Sequence, residues 1–443
     1  MLKKEDNDLL TRVGPGTPMG ELFRRFWLPA ALSEELRWPG GTPVRLRILG
    51  EDLLGFRDDA GELGIVSAYC SHRQAPLFFG RNENCALQCP YHGWRFDTKG
   101  NCIETPNAPN YLRDNPGAKA RLAIDAYPVK EAGGIVWAYM GPREQMPPFP
   151  DFEFTKVPEG HCHASRWLQR SNWLQGAEGE IDTSHVSFAH KDLSADHEKI
   201  NMTGLQYTVE DDSPVLSVKE TPYGFMSGSR RNYKGQYFWR VSQWLAPMFS
   251  LIPRAPADEF TSGGGRAWVP VDDENTTTFA YNFRTDRPLS EAELRLIEEG
   301  AHFPPRMTRG TVQLAEGHRI DTYLPLANLD NDYLVDREMQ KSVNFTGIWG
   351  VNEQDRCLQE SLRASGSTRR GTVDRSREHL VASDLAITAA RRRLLRMIAT
   401  LQETGEVGEV GRGDVYAVRA VSKICDIAEF DAFVERYDVE AKF

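Results

Sequence analysis

The rhythm of apolar and polar positions changes twice along the chain. Residues 1–40 carry a helical pattern, clearest at Met19-Gly20-Glu21-Leu22-Phe23-Arg24-Arg25-Phe26-Trp27 and bracketed by Pro15, Pro18 and Pro29. From Pro43 to about Gly141 the pattern becomes short alternating or apolar runs (Val44 to Leu49, Gly64 to Val66, Gly134 to Tyr139) separated by Gly, Asp and Asn turns. That texture predicts a small antiparallel β domain. Pro142 through Pro150 holds four prolines and reads as a linker. Beyond it, Leu205 to Ile252 and Thr276 to Arg284 read as strands. Glu291 to Glu299 reads as a helix, with Ser290 as N-cap, Glu293 at the capping-box position and Gly300 as its stop. Ser383 to Thr404 is a second helix, capped by Ser383 and stopped by Gly405, and its Arg391-Arg392-Arg393 run reads as a solvated face. No internal repeat or low-complexity tract interrupts this order. The predicted units are residues 1–42, 43–145 and 146–443.

The 443 residues exceed one ordinary core, so two domains are expected. A 40% hydrophobic and 26% charged composition is that of a soluble globular protein. The net charge of −10 argues against a nucleic-acid partner. No run of eighteen apolar residues suggests a membrane span, and Met1-Leu2-Lys3-Lys4-Glu5-Asp6 lacks the apolar core of a signal peptide. A cytoplasmic location is expected. Of seven cysteines, Cys85, Cys102, Cys162, Cys357 and Cys425 follow no framework pattern and read as reduced thiols.

The remaining two change the picture. Cys70-Ser71-His72 is followed after sixteen residues by Cys89-Pro90-Tyr91-His92. Two thiolates and two imidazoles in mixed pairs narrow the choice to zinc or a Rieske-type 2Fe–2S cluster. Structural zinc sites usually keep Cys with Cys and His with His. Here each loop can give one ligand to each iron of a binuclear cluster. Cys85 and Cys102 flank the second loop as rival ligands. A second constellation is Asp182-Thr183-Ser184-His185-Val186-Ser187-Phe188-Ala189-His190, with the side chains of a 2-His-1-carboxylate site. At about 100° per residue Asp182 and His185 share a helical face, but His185 and His190 lie about 140° apart. They bind one metal only if the helix ends, kinks or bulges near Val186 to Ala189. Surface or core histidines remain the other reading of this pair.

Cys70-Ser71-His72-Arg73 and Cys89-Pro90-Tyr91-His92-Gly93-Trp94 resemble the two ligand loops of Rieske oxygenases. The run from Asn172 to His185 resembles the catalytic segment of Rieske non-haem iron ring-hydroxylating oxygenases, nearest the phthalate dioxygenase branch. The resemblance extends to Arg12 through Leu22, Asp332 through Arg337, Gly350 through Asp355 and Asp374 through Leu380. It implies an α+β chain, a small all-β Rieske domain at 43–145 followed by a helix-grip (START-like) catalytic domain at 146–443, with residues 1–42 packed on the latter. It implies a Rieske 2Fe–2S cluster on Cys70, His72, Cys89 and His92, and a mononuclear non-haem Fe(II) on His185, His190 and Asp355. Asp182 would bridge His185 and a Rieske His of a neighbouring subunit. Ala75 and Tyr91 stand where respiratory Rieske proteins carry a disulfide, so that bridge is missing. The potential is then expected near the low end of a range of about −150 to +300 mV. The run from Leu362 to Arg370 is more basic than expected for the branch, which bears on substrate preference. Glu178 reads as an exposed helix acid, and His161 and His163 as structural.

The implied function is the terminal oxygenase component of a multicomponent system, hydroxylating an aromatic carboxylate with dioxygen. Partners expected from the resemblance are a separate flavin reductase using NAD(P)H, with or without a ferredoxin domain, and further copies of the chain in a homotrimer or trimer-based homo-oligomer. Arg230, Arg231 and Arg240 are candidates for the substrate carboxylate, and Trp239 and Phe249 for an aromatic pocket. O-demethylation of a methoxylated aromatic acid is the alternative on the same iron site; an electron carrier or a zinc protein is the alternative of another class.

Overall fold

A computed structural model describes residues 2–113, 115–193, 205–208, 211–253, 262–301, 304–362 and 371–440. The N-terminal segment forms helices Lys4–Thr11 and Pro18–Phe23, the second capped by the Thr17 side chain. The helical pattern expected up to Trp27 stops at Phe23. Trp27–Leu32 is instead a strand, buried at every position and paired antiparallel with Ile135–Tyr139. A run buried on all sides carries no period to tell helix from strand. Pro29, which has no N–H to give, sits where the register shifts. The two helices pack on the long helix Leu385–Thr404, so residues 1–42 touch both larger units.

The first domain holds two small antiparallel sheets. One runs Val44–Ile48, Glu51–Arg57, Leu63–Ser67, Ala126–Tyr127; the other runs Arg81–Glu83, Ala86–Gln88, Arg95–Phe96, Cys102–Glu104. Leu54, Phe56, Val66, Leu77, Leu87, Trp94 and Phe96 form the core between them, with Cys70 and Cys89 in the same cluster. The Pro142–Pro150 stretch contains one 3-10 turn, Arg143–Gln145.

The second domain is built on an eight-stranded antiparallel sheet. Its order is Cys162–Gln169, Thr276–Arg284, Ser262–Pro270, Phe249–Ile252, Gln236–Leu245, Gly224–Tyr233, Val215–Thr221, with Val421–Cys425 beside the first half of Gln236–Leu245. The expected strand region begins only at Val215; Leu205–Thr208 is a 3-10 turn. Helix Glu291–Glu298 carries the expected Ser290/Glu293 capping box. The long helix starts at Leu385 after a 3-10 turn at Ala382–Asp384, so Asp384 rather than Ser383 is its N-cap. It lies against Val215–Thr221 and Gly224–Tyr233. The whole is the α+β organisation expected: a small all-β domain, then a large antiparallel sheet with helices.

The two domains are clamped together. Arg45 binds Asp321 through two nitrogens, and His318 Nδ1 lies 2.7 Å from Asp52 Oδ2. The amides of Leu49 and Gly50 donate to Pro270 and Val271 carbonyls at 2.9 Å each. Among the described residues no helix is long and apolar enough to cross a membrane.

Candidate metal centres

The first centre sits on two tight loops. In one, the Cys70 amide donates to the Ala75 carbonyl and Gln74 N–H returns to the Cys70 carbonyl, both at 2.9 Å. In the other, Cys89 N–H donates to Trp94 O at 2.7 Å and Gly93 N–H to Cys89 O at 3.0 Å. Gly93 takes φ +76°, a left-handed turn that glycine adopts without strain. Both thiols are buried, at 1% and 3% exposure, and are not joined in disulfides. Burial, with the neighbouring Cys89 adding to it, pushes the Cys70 thiol up to about 11. The His72 and His92 rings lie 4.6 Å apart, His72 stacks on Trp94 at 4.4 Å, and His72 Nδ1 is buried without a hydrogen-bond partner. Two buried thiols beside two half-buried imidazoles, one with an unpartnered buried nitrogen, suit a metal group.

The donors gather two and two: the Cys70 and Cys89 thiols neighbour each other, and so do the His72 and His92 rings. A binuclear group with two thiolates on one iron and two imidazoles on the other suits that grouping. Cys85 is exposed and its amide is held by Asp59; Cys102 is buried beside Cys70, its thiol pushed up to about 11 by burial.

The second centre arises from a broken helix. Helix Trp173–Ile181 ends at Asp182, whose φ/ψ of −78°/98° is extended; a four-residue helix, Val186–Ala189, follows between His185 and His190. The break falls earlier than Val186 to Ala189, so Asp182 and His185 meet across a turn rather than along one helical face. Helix Val351–Gln359 brings Asp355 from far along the chain. The two helices approach closely because Gly179 has no Cβ: one placed there would lie 2.3 Å from Gln359 Nε2.

The outcome is a near-equilateral triangle of donors. His185 Nε2 and His190 Nε2 are 3.2 Å apart, and Asp355 Oδ1 lies 3.3 and 3.1 Å from them. Bonds of about 2.1–2.2 Å at right angles would place donors about 3.0 Å apart. The three therefore fit one face of an octahedral ion. Burial favours neutral forms, yet the Asp355 carboxyl stays well below its usual range because His190 and His185 face it. Burial likewise opposes charge on His185, but Asp182 and Asp355 push it up to about 10. The site is arranged around positive charge.

A ring of side chains orients the three. His185 Nδ1 faces Asp182 Oδ2 at 3.6 Å, and Asp182 Oδ1 accepts from Ser184 N and Oγ. His190 Nδ1 donates to Gln354 Oε1 at 2.7 Å, while Gln354 Nε2 donates to Ile348 O and fixes the amide. Arg266 Nη1 lies 3.0 Å from Glu180 and 3.5 Å from the second Asp355 oxygen. Gln354, Arg266 and Glu180 were not legible as site residues, since long-range contacts alone place them there.

The three candidate arginines separate. Strand alternation puts Ser229, Arg231 and the opposed Arg240 and Ser242 on the face toward the triad, and Arg230, Trp239 and Val241 on the other. Arg230 lies over Tyr237 and donates to Ala428 O, away from the site. Arg231 is fully buried and binds Thr183 O and Ser187 Oγ. Arg240 lines the cavity of the triad with Val186, Ser242, Ile252, Arg266 and Val351. Among the described residues its buried side chain makes no hydrogen bond; Nε is an orphan. Trp239 packs with Phe430 and Phe433, and Phe249 with Trp137 and Phe152, so both fill cores rather than the pocket.

Two other expectations are corrected. Glu178 is not an exposed acid: it is buried and binds Arg375 and Arg391. Arg391 therefore leaves the solvated face assigned to its run. His161 bonds the Arg284 carbonyl, and neither it nor His163 joins a donor cluster. The basic run from Arg363 to Arg370 lies outside the described residues.

Comparison with known proteins agrees with both centres. Residues 26–128 match the Rieske [2Fe-2S] domain, and residues 138–439 match the LigXa C-terminal domain like family. The chain is 37% identical over 417 residues to the 3-chlorobenzoate-3,4-dioxygenase oxygenase subunit of Comamonas testosteroni, covering 91% of this chain and 90% of that one. It is 35% identical over 452 residues to the phthalate 4,5-dioxygenase oxygenase subunit of Pseudomonas putida, covering 98% and 93%. Dicamba monooxygenase bound to 3,6-dichlorosalicylic acid shares the fold, with TM-score 0.54 and 19% identity over 86% of this chain and 98% of that one.

Proposed function

The chain belongs to the Rieske non-haem iron oxygenases that join a Rieske [2Fe–2S] domain to a LigXa-type C-terminal domain, and from that premise we propose that it is the terminal oxygenase subunit of a multicomponent system oxygenating an aromatic carboxylate. One observation carries the substrate class: the buried, hydrogen-bond-free Arg240 guanidinium opens on the cavity of the triad. A planar cation in a desolvated pocket gains most from a carboxylate that can take two of its N–H groups.

Cys70, His72, Cys89 and His92 would hold the cluster, and His185, His190 and Asp355 would hold the Fe(II). When bound, the cluster would provide one-electron chemistry and the iron dioxygen chemistry. The protein's part is placement. Asp182 and Gln354 fix the two imidazoles, since a ligating His needs its second nitrogen held. Arg266 takes up the Asp355 oxygen turned from the triangle. Arg240 grips the carboxylate and sets which ring carbon faces the triad. Asp182 keeps 21% of its side chain open, which leaves room for a Rieske His of a neighbouring subunit in a trimer. Electrons come from a separate reductase carrying flavin and using NAD(P)H.

The test is oxygen uptake by the purified, red-brown protein with a surrogate reductase across a panel of aromatic acids. The expected result is substrate-dependent uptake with aromatic carboxylates and none with their amides or methyl esters. Formaldehyde released in step with uptake would assign demethylation instead of ring hydroxylation. Uptake indifferent to the carboxylate would refute the assignment to Arg240.

A further inference from the structure

The mechanism above leaves Arg231 without a task. Its guanidinium is fully buried, yet it does not line the cavity of the triad. Among the described residues no carboxylate hydrogen-bonds it. Nη2 instead donates to Thr183 O at 2.8 Å and Ser187 Oγ at 3.3 Å, and Nη1 to Ser229 Oγ at 3.4 Å. A buried cation on neutral acceptors is costly to keep. Burial, with the Arg240 charge adding to it, draws its pKa down to about 10, so it remains charged at neutral pH. What it spans is specific. Thr183 follows Asp182 and Ser187 follows His185 by two, so one nitrogen ties together both sides of the turn that separates them. That turn interrupts the helix; within itself it is held by Ser184 N and Oγ on Asp182 Oδ1 and by a long 3.4 Å bond from Ser187 N–H to Ser184 O, none of which ties it to the sheet.

We propose that Arg231 is a positioning residue: bridging Thr183 and Ser187 from the sheet, it sets the broken-helix turn so that Asp182 faces Nδ1 of His185 and the imidazole presents Nε2 to the metal. The proposal rests on the two-centre reading above. Neither Arg230, on the opposite strand face, nor a lysine at 231 can replace it. A lysine keeps the charge but has no second nitrogen, so it cannot hold Ser229 Oγ on the sheet, as Nη1 does, while reaching Thr183 and Ser187 as Nη2 does.

The experiment uses the full chain with its cluster in place, stripped of mononuclear iron and titrated with Co(II). Affinity and ligand-field bands report the donor geometry without turnover. Arg231→Lys should bind Co(II) about 10-fold more weakly or worse, as loss of an orienting contact does. Its bands should shift while the cluster spectrum and the melting temperature stay near wild type. Ser187→Ala, which removes one acceptor and is mild enough to fold, should show a smaller shift in the same direction, and Arg230→Lys none. Wild-type affinity and bands in both Arg231→Lys and Ser187→Ala would overturn the proposal. So would a large fall in melting temperature with unchanged bands, since that is a purely structural role. Failure of the two-centre reading has a separate signature: wild-type protein with no Rieske absorption or no Co(II) binding.

Discussion

Three donor atoms 3.1–3.3 Å apart, two of them imidazole nitrogens, need protons or a metal cation between them. Each residue around them is read by what it does to that arrangement. Gln354 orients His190 with a neutral amide, where Asp182 serves His185 with a carboxylate. Gln354→Ala should lower iron affinity about 10- to 100-fold with the cluster spectrum unchanged, checked by metal analysis after dialysis against a weak chelator. Arg240→Ala should raise KM for a carboxylate substrate by about 30-fold or more, the low end for removing one partner of a buried charge pair. Steady-state oxygen uptake measures it, and an unchanged KM would remove Arg240 from the substrate site. At this scale the sequence was informative about ligand types, because few side chains bind iron and the Cys-x-His and Cys-x-x-His pairs are local. Asp355 came only through family resemblance, since nothing local marks it. Arg230 and Arg231 were not told apart, although period-two alternation already forbade both from facing one pocket.

Helix Trp173–Ile181 shows why elements were less legible than residues. Glu178 looked solvated, yet it ties the helix to Arg375 and to Arg391 of the long helix, at 2.8 and 2.6 Å. No local pattern encodes a pair that closes across about two hundred residues. Burial alone would raise the Glu178 carboxyl, but the two guanidinium groups override it and hold it below its ordinary 4.5. Its stabilisation is therefore complete above about pH 4.5 and is lost as pH falls through the lowered folded value. Glu178→Gln should cost about 3–5 kcal/mol near neutral pH, the usual penalty for breaking a buried pair from one side. Urea midpoints should show that deficit narrowing below pH 4.5, and a pH-independent deficit would deny the ion pair. Gly179 makes a second test. Gln359, which its missing Cβ accommodates, is held by Gln169 Nε2 at 2.8 Å and cannot swing away freely. Gly179→Ala should push helix Trp173–Ile181 away from helix Val351–Gln359, which carries Asp355, and empty the iron site while the β domain keeps its cluster; full iron occupancy would show that the helices yield. That the helix is interrupted was legible, because a regular helix cannot bring His185 and His190 together; that it breaks at Asp182, before both histidines, was not.

At the scale of the molecule, the question is which iron site each cluster serves. The β domain does not swing freely on its own chain: Arg45–Asp321, Asp52–His318 and two backbone hydrogen bonds fix it to the sheet and to the Met307–Gln313/Arg319–Pro325 hairpin. None of these contacts involves the helices that carry the triad. Asp182 is partly open at the edge of the second centre, as the proposed transfer between chains requires. The linker and the two domain textures were visible in the sequence; this clamp was not, because its members lie on separate strands hundreds of residues apart. Transfer between chains makes a sharp forecast. A Cys70→Ala/Cys89→Ala protein keeps its triad and loses its cluster; a His185→Ala protein does the reverse. Neither should oxygenate alone. Co-expressed with different tags and isolated as mixed oligomers, they should regain about a third of wild-type product formation in a cyclic head-to-tail trimer. Whether two subunits keep a triad or one does, a single triad in each mixed ring meets a cluster-bearing neighbour. Transfer confined to one chain would give no recovery, because no subunit of the mixture carries both centres.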